Sequence, residues 1–213
     1  MTNWIDISQP LTKELASWPG DRTFNYSLSY TKEETGSVNI GEINMGVHNG
    51  THIDAPFHYD TNGKTIDTLP LDLAIGKAIV LDVSDTNTID EDILRRYDLK
   101  GASRVLLRTS LPNNPNVFPE TMPTIDPAVA TYLTNNGVKL LGVDIPSVDI
   151  TSSKELATHH ALYRNNIYIL ENLMLDHVKA GIYDMIALPL NIVGADASPV
   201  RAVIRPKFEE DVE

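Results

Sequence analysis

Apolar and polar positions along the chain follow patterns typical of strands. Apolar residues alternate with polar ones at 4–8 and again at 24–30, where the alternation predicts a strand with one face in water. Continuous apolar runs predict further strands, which are buried. They lie at 78–83, 104–109, 138–144, 167–170, 185–190 and 200–205, and Pro189 disturbs the strand at 185–190.

Helix signals lie between several of these strands. Acidic residues precede basic ones across 89–97, and a helix is bounded by Asp126-Pro127 at its start and Asn136-Gly137 at its end. Ser152 and Glu155 have the spacing of a capping box before a third helix, which contains His159. This alternation of strand and helix predicts the α/β class, and the absence of repeats or linkers predicts one domain over 1–213.

Composition excludes several function classes. The 213 residues carry a formal net charge of −12 and no run of Lys or Arg, which argues against a nucleic-acid partner and favours a small molecule. There is no cysteine, so a metal ion would need nitrogen and oxygen ligands. The first residues lack a signal-peptide pattern and no apolar run is long enough to span a membrane, so we expect no membrane partner and a cytoplasmic location.

Candidate chemistry is concentrated between residues 48 and 58. His48, His52, Asp54 and His58 are all at even positions, so an extended backbone would project them to one side, although Gly50 and a following proline favour a shaped loop after a strand. Imidazoles and a carboxylate suit a divalent cation, and a carboxylate can bridge two. Alternatively, these are surface histidines or buried histidines with backbone partners.

A second group of candidates lies further along the chain. Glu171 ends an apolar run, where an unpaired buried carboxylate would be costly and a cation would explain it. His159 is either a ligand or a surface residue at a helix start, and residue types alone do not favour it over His160. We interpret His160 and His177 as residues that do not bind metal.

The spacing His48-Asn49-Gly50-Thr51-His52-Ile53-Asp54-Ala55-Pro56-Phe57-His58 resembles the His-x-Gly-Thr-His-x-Asp-x-Pro-x-His signature of the cyclase-like metal-dependent hydrolases. Weaker segments, including the turn at Trp18 and the stretches 142–149, 169–172, 187–190 and 196–203, are similar to the bacterial kynurenine formamidase branch. The resemblance implies a swivelling β/β/α fold with mixed strands and a homodimer.

The resemblance also implies roles for particular residues. It implies that His48, His52 and Asp54 hold one metal ion, and that Asp54 and Glu171 are shared with a second ion that His159 binds, since the interval from His159 to Glu171 matches the family. The ions would be zinc, with manganese, iron or cobalt as alternatives. His58 would be the general acid and base, and Trp18 would contact an aromatic substrate.

The implied activity is hydrolysis of an aromatic formamide, N-formyl-L-kynurenine, to L-kynurenine and formate. No Gly-x-Ser-x-Gly elbow is present, so a serine nucleophile is not expected. The alternatives are a related hydrolase that opens a cyclic amide such as isatin, and a metal-binding module without catalysis. Site roles for His160, Asp144 and Asp196 stay open.

Overall fold

The computed structural model describes residues 4–109 and 113–207. Within these ranges one large mixed sheet, two short sheets and four α-helices confirm the predicted α/β class. None of the described helices is long and apolar enough to cross a membrane. The strands are β1 (Ile5–Asp6), β2 (Asn25–Tyr30), β3 (Ile40–Asn44), β4 (His52–Asp54), β5 (Ile75–Asp82), β6 (Thr88–Ile89), β7 (Arg104–Arg108), β8 (Thr124–Ile125), β9 (Leu140–Val143), β10 (Tyr168–Glu171), β11 (Gly181–Ile186), β12 (Ala197–Pro199) and β13 (Val203–Pro206), and the helices are α1 (Lys32–Thr35), α2 (Glu91–Leu94), α3 (Val129–Asn135) and α4 (Ala157–Arg164).

The large sheet has the strand order β1-β13-β11-β5-β7-β9-β10-β4-β12. Its central strands β5, β7, β9 and β10 pair in parallel, whereas the pairs toward both edges are antiparallel. All four central strands lie in segments whose continuous apolar runs predict buried strands, as a parallel sheet covered on both faces requires.

Apolar side chains fill both faces of this sheet. Leu81 of β5 belongs to a cluster that includes buried residues of α2, α3 and α4, and its neighbour Val80 belongs to a second cluster on the other face. The second cluster also contains Ile53 of β4 and Ile204 of β13, which are near opposite ends of the strand order. The sheet therefore curls around this second core.

The start of α4 differs from the prediction. The capping box at Ser152 is wrong, because Leu156 takes a left-handed conformation (φ 46°) immediately before the helix and provides no side-chain cap. Asp149 instead accepts hydrogen bonds from the backbone N–H groups of Thr158 and His159, each at 3.0 Å. A carboxylate from the preceding loop thus caps the helix that carries His159.

Strands β2 and β3 form a hairpin. The strand predicted at 24–30 is confirmed, but the prediction that only one face is in water is wrong, since every residue of β2 is exposed. Alternation places Tyr26 and Leu28 on one side, and Ile43 pairs directly with Tyr26 on the same side, whereas the register shifts between Leu28 and Tyr30. We call Tyr26, Leu28 and Ile43 the apolar ribbon face; their exposed fractions run from 43% to 61%.

Candidate metal centre

Strand β4 presents two candidate ligands on one side. It lies between β10 and β12, with His52 opposite Glu171. The side chains of His52 and Asp54 point the same way, while Ile53 between them is fully buried in the second core. The common direction predicted from even positions is confirmed for this pair. The adjacent strand β10 contributes a third candidate ligand, Glu171.

His48 and His58 flank β4 on irregular backbone. His48 lies in a turn, in which the N–H of Asn49 donates to the carbonyl of Gly46 (3.2 Å), so it does not continue β3. His58 ends a short 3₁₀ helix that begins at Pro56. A loop shaped by glycine and proline was predicted here, and it holds both imidazoles beside β4.

Three histidines and two carboxylates of this cluster turn nitrogen and oxygen atoms toward one another, and we call these the inner atoms. The inner atoms form two groups. His48 Nδ1 and His52 Nε2 lie 3.1 and 3.3 Å from Asp54 Oδ1, and His52 Nε2 lies 3.4 Å from Glu171 Oε2. In the second group, His159 Nε2 lies 3.6 Å from Asp54 Oδ2 and 3.8 Å from Glu171 Oε1. Each carboxylate thus presents one oxygen to each group.

These spacings fit a pair of divalent cations. Two ligand atoms about 2.1 Å from a tetrahedral zinc ion are separated by about 3.4 Å, which falls inside the observed range. Among the described residues, His52 Nε2 and both oxygens of Asp54 are buried without a hydrogen-bond partner. Because unsatisfied buried polar atoms are costly, the residues present fit a group that supplies positive charge between them.

The outer nitrogen of each inner histidine is fixed by an acceptor. His52 Nδ1 lies 2.9 Å from the carbonyl two residues before it, and His159 Nδ1 lies 2.7 Å from Asp149 Oδ2. His48 Nε2 lies 2.9 Å from Asp196 Oδ2. An outer N–H donated in this way leaves the inner nitrogen free as a ligand. The residue patterns did not identify a role for Asp149, whose place ten residues before His159 gives no periodic signal.

The charge balance of the cluster favours cations. Burial opposes the charged form of the three inner histidines, yet the adjacent carboxylates favour it and raise the pKa of His48 to about 9 and the pKa values of His52 and His159 to about 10. Asp54 is buried, but the same histidines hold its pKa well below the usual range. Protons and metal ions would therefore compete for this cluster.

His58 differs from the inner histidines. Its side chain is 34% exposed, its Nδ1 lies 3.5 Å from Asp196 Oδ2, and its ring centroid lies 4.1 Å from that of His48. Burial lowers the pKa of His58, so its imidazole is neutral at pH 7. With His48 and Asp196 it could also form a third, more exposed group of metal ligands.

A cavity of about 350 Å³ opens onto these groups. Trp18 lines it from the predicted turn, where the N–H of Asp21 donates to the Trp18 carbonyl (2.9 Å). The ring of Phe118 meets Trp18 edge-on, with centroids 5.4 Å apart, and also lines the cavity. Together the two rings make an aromatic wall, of which Phe118 carried no sequence signal.

The other titratable candidates have different surroundings. Asp144 is buried beside the cavity, accepts a hydrogen bond from the Thr109 N–H (3.0 Å), and has its pKa raised by burial to about 7. Among the described residues, His160 and His177 join none of the candidate metal groups. His160 instead packs near Tyr59, with ring centroids 5.8 Å apart.

Sequence comparison identifies the family. The Cyclase family model matches residues 5–150. The chain belongs to the Cyclase family. Among the relatives of this Cyclase member, the kynurenine formamidase of Bacillus cytotoxicus is 51% identical over 96% of this chain and 98% of its own length, and that of Bacillus thuringiensis strain Al Hakam is 50% identical with the same coverage. The resemblance to the kynurenine formamidase branch is confirmed.

Solved structures share the fold of this Cyclase member. A potential metal-dependent hydrolase with cyclase activity superposes with a TM-score of 0.84 at 26% identity, covering 98% of this chain and all of that one. Isatin hydrolase A from Labrenzia aggregata gives a TM-score of 0.82 at 21% identity, covering 97% and 94% of the two chains. The expected cyclase-like fold with mixed strands is confirmed.

Proposed function

We propose that the chain is an arylformamidase that hydrolyses N-formyl-L-kynurenine to L-kynurenine and formate, a step of tryptophan degradation. The observation that carries this proposal is 50–51% identity, over 96% of the chain, to proteins named kynurenine formamidase. A cavity with an aromatic wall beside clustered imidazoles and carboxylates supports a small aromatic formamide as substrate.

The proposed cofactor is two divalent metal ions per chain, zinc first, with manganese, iron or cobalt as alternatives. His48, His52 and Asp54 would hold one ion. Asp54 and Glu171 would be shared with a second ion, which His159 would also bind. The two groups of inner atoms and their 3.1–3.8 Å spacings support this set. When bound, such ions lower the pKa of water and polarise a carbonyl oxygen.

His58 is proposed as the general acid and base. It would take a proton from the attacking water as the water oxygen bonds to the formyl carbon, and it would then give that proton to the arylamine nitrogen as the C–N bond breaks. Its lowered pKa supports the first step, because the imidazole starts neutral. Proximity to Asp196 Oδ2 supports an orientation in which Nδ1–H points to the carboxylate and Nε2 exchanges the proton.

Trp18 is proposed to contact the aromatic ring of the substrate. Two contacts with the loop that carries Pro115 and Phe118 hold the Trp18 turn in place. The N–H of Ala16 donates to the carbonyl of Pro115 (2.8 Å), and the ring of Phe118 meets the indole edge-on. An indole held in this way offers a flat apolar surface without the entropy cost of fixing a mobile side chain.

The direct test is formate release from N-formyl-L-kynurenine by the purified protein, measured beside kynurenine absorbance. We expect turnover that a chelator abolishes and added Zn²⁺ or Mn²⁺ restores. No formate release from protein whose metal content has been restored would refute the proposed activity.

Two alternative functions predict different results. An isatin hydrolase would turn over isatin faster than N-formyl-L-kynurenine or simple formanilides; its present support is a likeness at 21–22% identity, which shows the fold alone. A metal-binding module without catalysis would bind metal ions and release no formate. Turnover measured in parallel on isatin, formanilide and N-formyl-L-kynurenine separates the three.

A homodimer is proposed as the assembly, with the apolar ribbon face as part of its interface. Exposed aromatic and aliphatic side chains on one side of a hairpin are typical of such contacts. Tyr26→Asp is expected to halve the mass measured by light scattering, whereas Asn25→Asp on the polar side of the same strand is the control and should leave the mass unchanged. A monomeric parent protein would refute the dimer.

Two organisational proposals complete this description. We propose one domain for the whole chain, supported by a sheet whose strands come from residues 5 to 206. Limited proteolysis should yield no smaller folded core that retains only half of this sheet. Cytoplasmic location stays a prediction from the sequence.

A further inference from the structure

The charged residues around the cavity are unevenly distributed. Away from the inner metal groups, the carboxylates of Asp21 and Asp144 line it, and Lys154 is the one Lys or Arg side chain among the described lining residues. The whole chain has a net charge of −12, which opposes the approach of an anionic substrate. Outside the candidate metal groups, Lys154 is therefore the one Lys or Arg side chain of the described lining that offers a carboxylate a positive partner.

Lys154 makes no hydrogen bond or ion pair with any described residue. The backbone on both sides of it is nevertheless held in place: the N–H of Ser153 donates to the Ile150 carbonyl (2.9 Å), and the N–H of Leu156 donates to Ser153 Oγ (3.1 Å). Leu156 then enters α4 through its left-handed conformation. A free ammonium group thus extends from a fixed loop, five residues before the candidate ligand His159.

We propose that Lys154 binds the carboxylate at the amino-acid end of the substrate and so selects carboxylate-bearing formanilides. This inference rests on the proposed function, because N-formyl-L-kynurenine carries an α-carboxylate and an α-ammonium beyond its aromatic ring. The formamide of the substrate would lie at the metal groups and its ring at the aromatic wall, so its amino-acid end would lie in the remainder of the same cavity. The α-carboxylate at that end needs a positively charged partner there. The carboxylate of Asp21 has the opposite charge and suits the ammonium.

The test compares two substrates in Lys154→Met. N-formyl-L-kynurenine has the carboxylate, and 2-formamidoacetophenone has the same ring, ketone and formamide without the amino-acid end. We expect KM for N-formyl-L-kynurenine to rise about 5- to 50-fold with kcat little changed, because a charge-assisted hydrogen bond is lost at a partly exposed site. The parameters for 2-formamidoacetophenone should stay within about twofold of the parent protein's.

Control variants distinguish binding from general effects. Lys154→Arg should recover most of the affinity, and Lys179→Met, which removes an exposed lysine outside the cavity lining, should behave like the parent protein. Equal changes for both substrates in Lys154→Met, or no change for either, would overturn the inference while leaving formamidase activity intact. Failure of the parent protein to hydrolyse either substrate would refute the proposed function itself.

Discussion

Replacing His58 by glutamine removes the proposed proton carrier while keeping a polar side chain of similar reach. His58 lies outside the two inner groups, so we expect both metal ions to stay bound. Its side chain is 34% exposed and its nearest charged partner is 3.5 Å away, so the free energy of unfolding should fall by no more than about 1 kcal/mol. The variant should therefore fold and bind metal normally.

The expected loss is in turnover. General acid and base catalysis contributes about 10²- to 10⁴-fold, which corresponds to about 2.7–5.5 kcal/mol of transition-state stabilisation. Because burial lowers the pKa of His58, the parent protein should keep its kcat to a lower pH than a histidine of ordinary pKa would allow, and the acid limb due to this group should disappear in His58→Gln.

The assay follows formate release across pH 5–9, with metal content measured on the same samples by elemental analysis. His160→Gln is the matched control, since His160 is a half-buried histidine near Tyr59 that joins no metal group found among the described residues. It should keep turnover close to that of the parent protein. Near-parent turnover in His58→Gln with both ions bound would refute the general-base assignment.

Three other substitutions test the site and its supports. His52→Ala should lose metal and activity together, because its inner nitrogen lies 3.3 and 3.4 Å from the two carboxylates proposed to be shared between the ions, and retention of two ions by elemental analysis would contradict the ligand set. Gly63→Ala should destabilise the fold by about 1–3 kcal/mol in urea unfolding, since the added Cβ would lie 2.4 Å from the backbone carbon of Pro56; unchanged stability would show that this turn can move. Asp144→Asn should gain stability relative to the parent protein as pH rises from about 4 through 7. A carboxyl whose folded pKa is raised stabilises the fold only while it is protonated, and each tenfold difference in proton affinity between the folded and unfolded chains corresponds to about 1.4 kcal/mol; an equal stability difference at pH 5 and pH 8 would contradict this.

Strands buried on both faces were the most predictable part of the fold. The apolar runs of β5, β7, β9 and β10 carry their own evidence, because burial on both faces leaves no polar alternation. Of the hairpin, the alternation at 24–30 predicts strand β2 with one face in water, whereas both faces are exposed. Alternation shows that two faces differ in polarity, but it does not show whether another part of the chain covers the apolar one. The start of α4 was missed because Asp149, which caps it, lies outside the local window that capping rules use.

The same distinction applies to the candidate site. His52 and Asp54 share a short strand, so their common direction follows from local geometry. The contact of His48 with Asp196 joins positions 148 residues apart, and the contact of Trp18 with Phe118 joins two loops. Such contacts depend on strand order, which residue patterns alone do not determine.

The pairing of β4 with β10 has a consequence for how the protein folds. Candidate ligands from the two halves of the chain come together only after β4 and β10 have paired, which places His52 opposite Glu171. Cation uptake should therefore report completion of a long-range folding step, and a cation at 100 times its dissociation constant would add about 2.7 kcal/mol to the native state. Stripping the cations should speed hydrogen exchange first at the amides of Ile53 and Leu170, while the central β5–β7 pair keeps its protection.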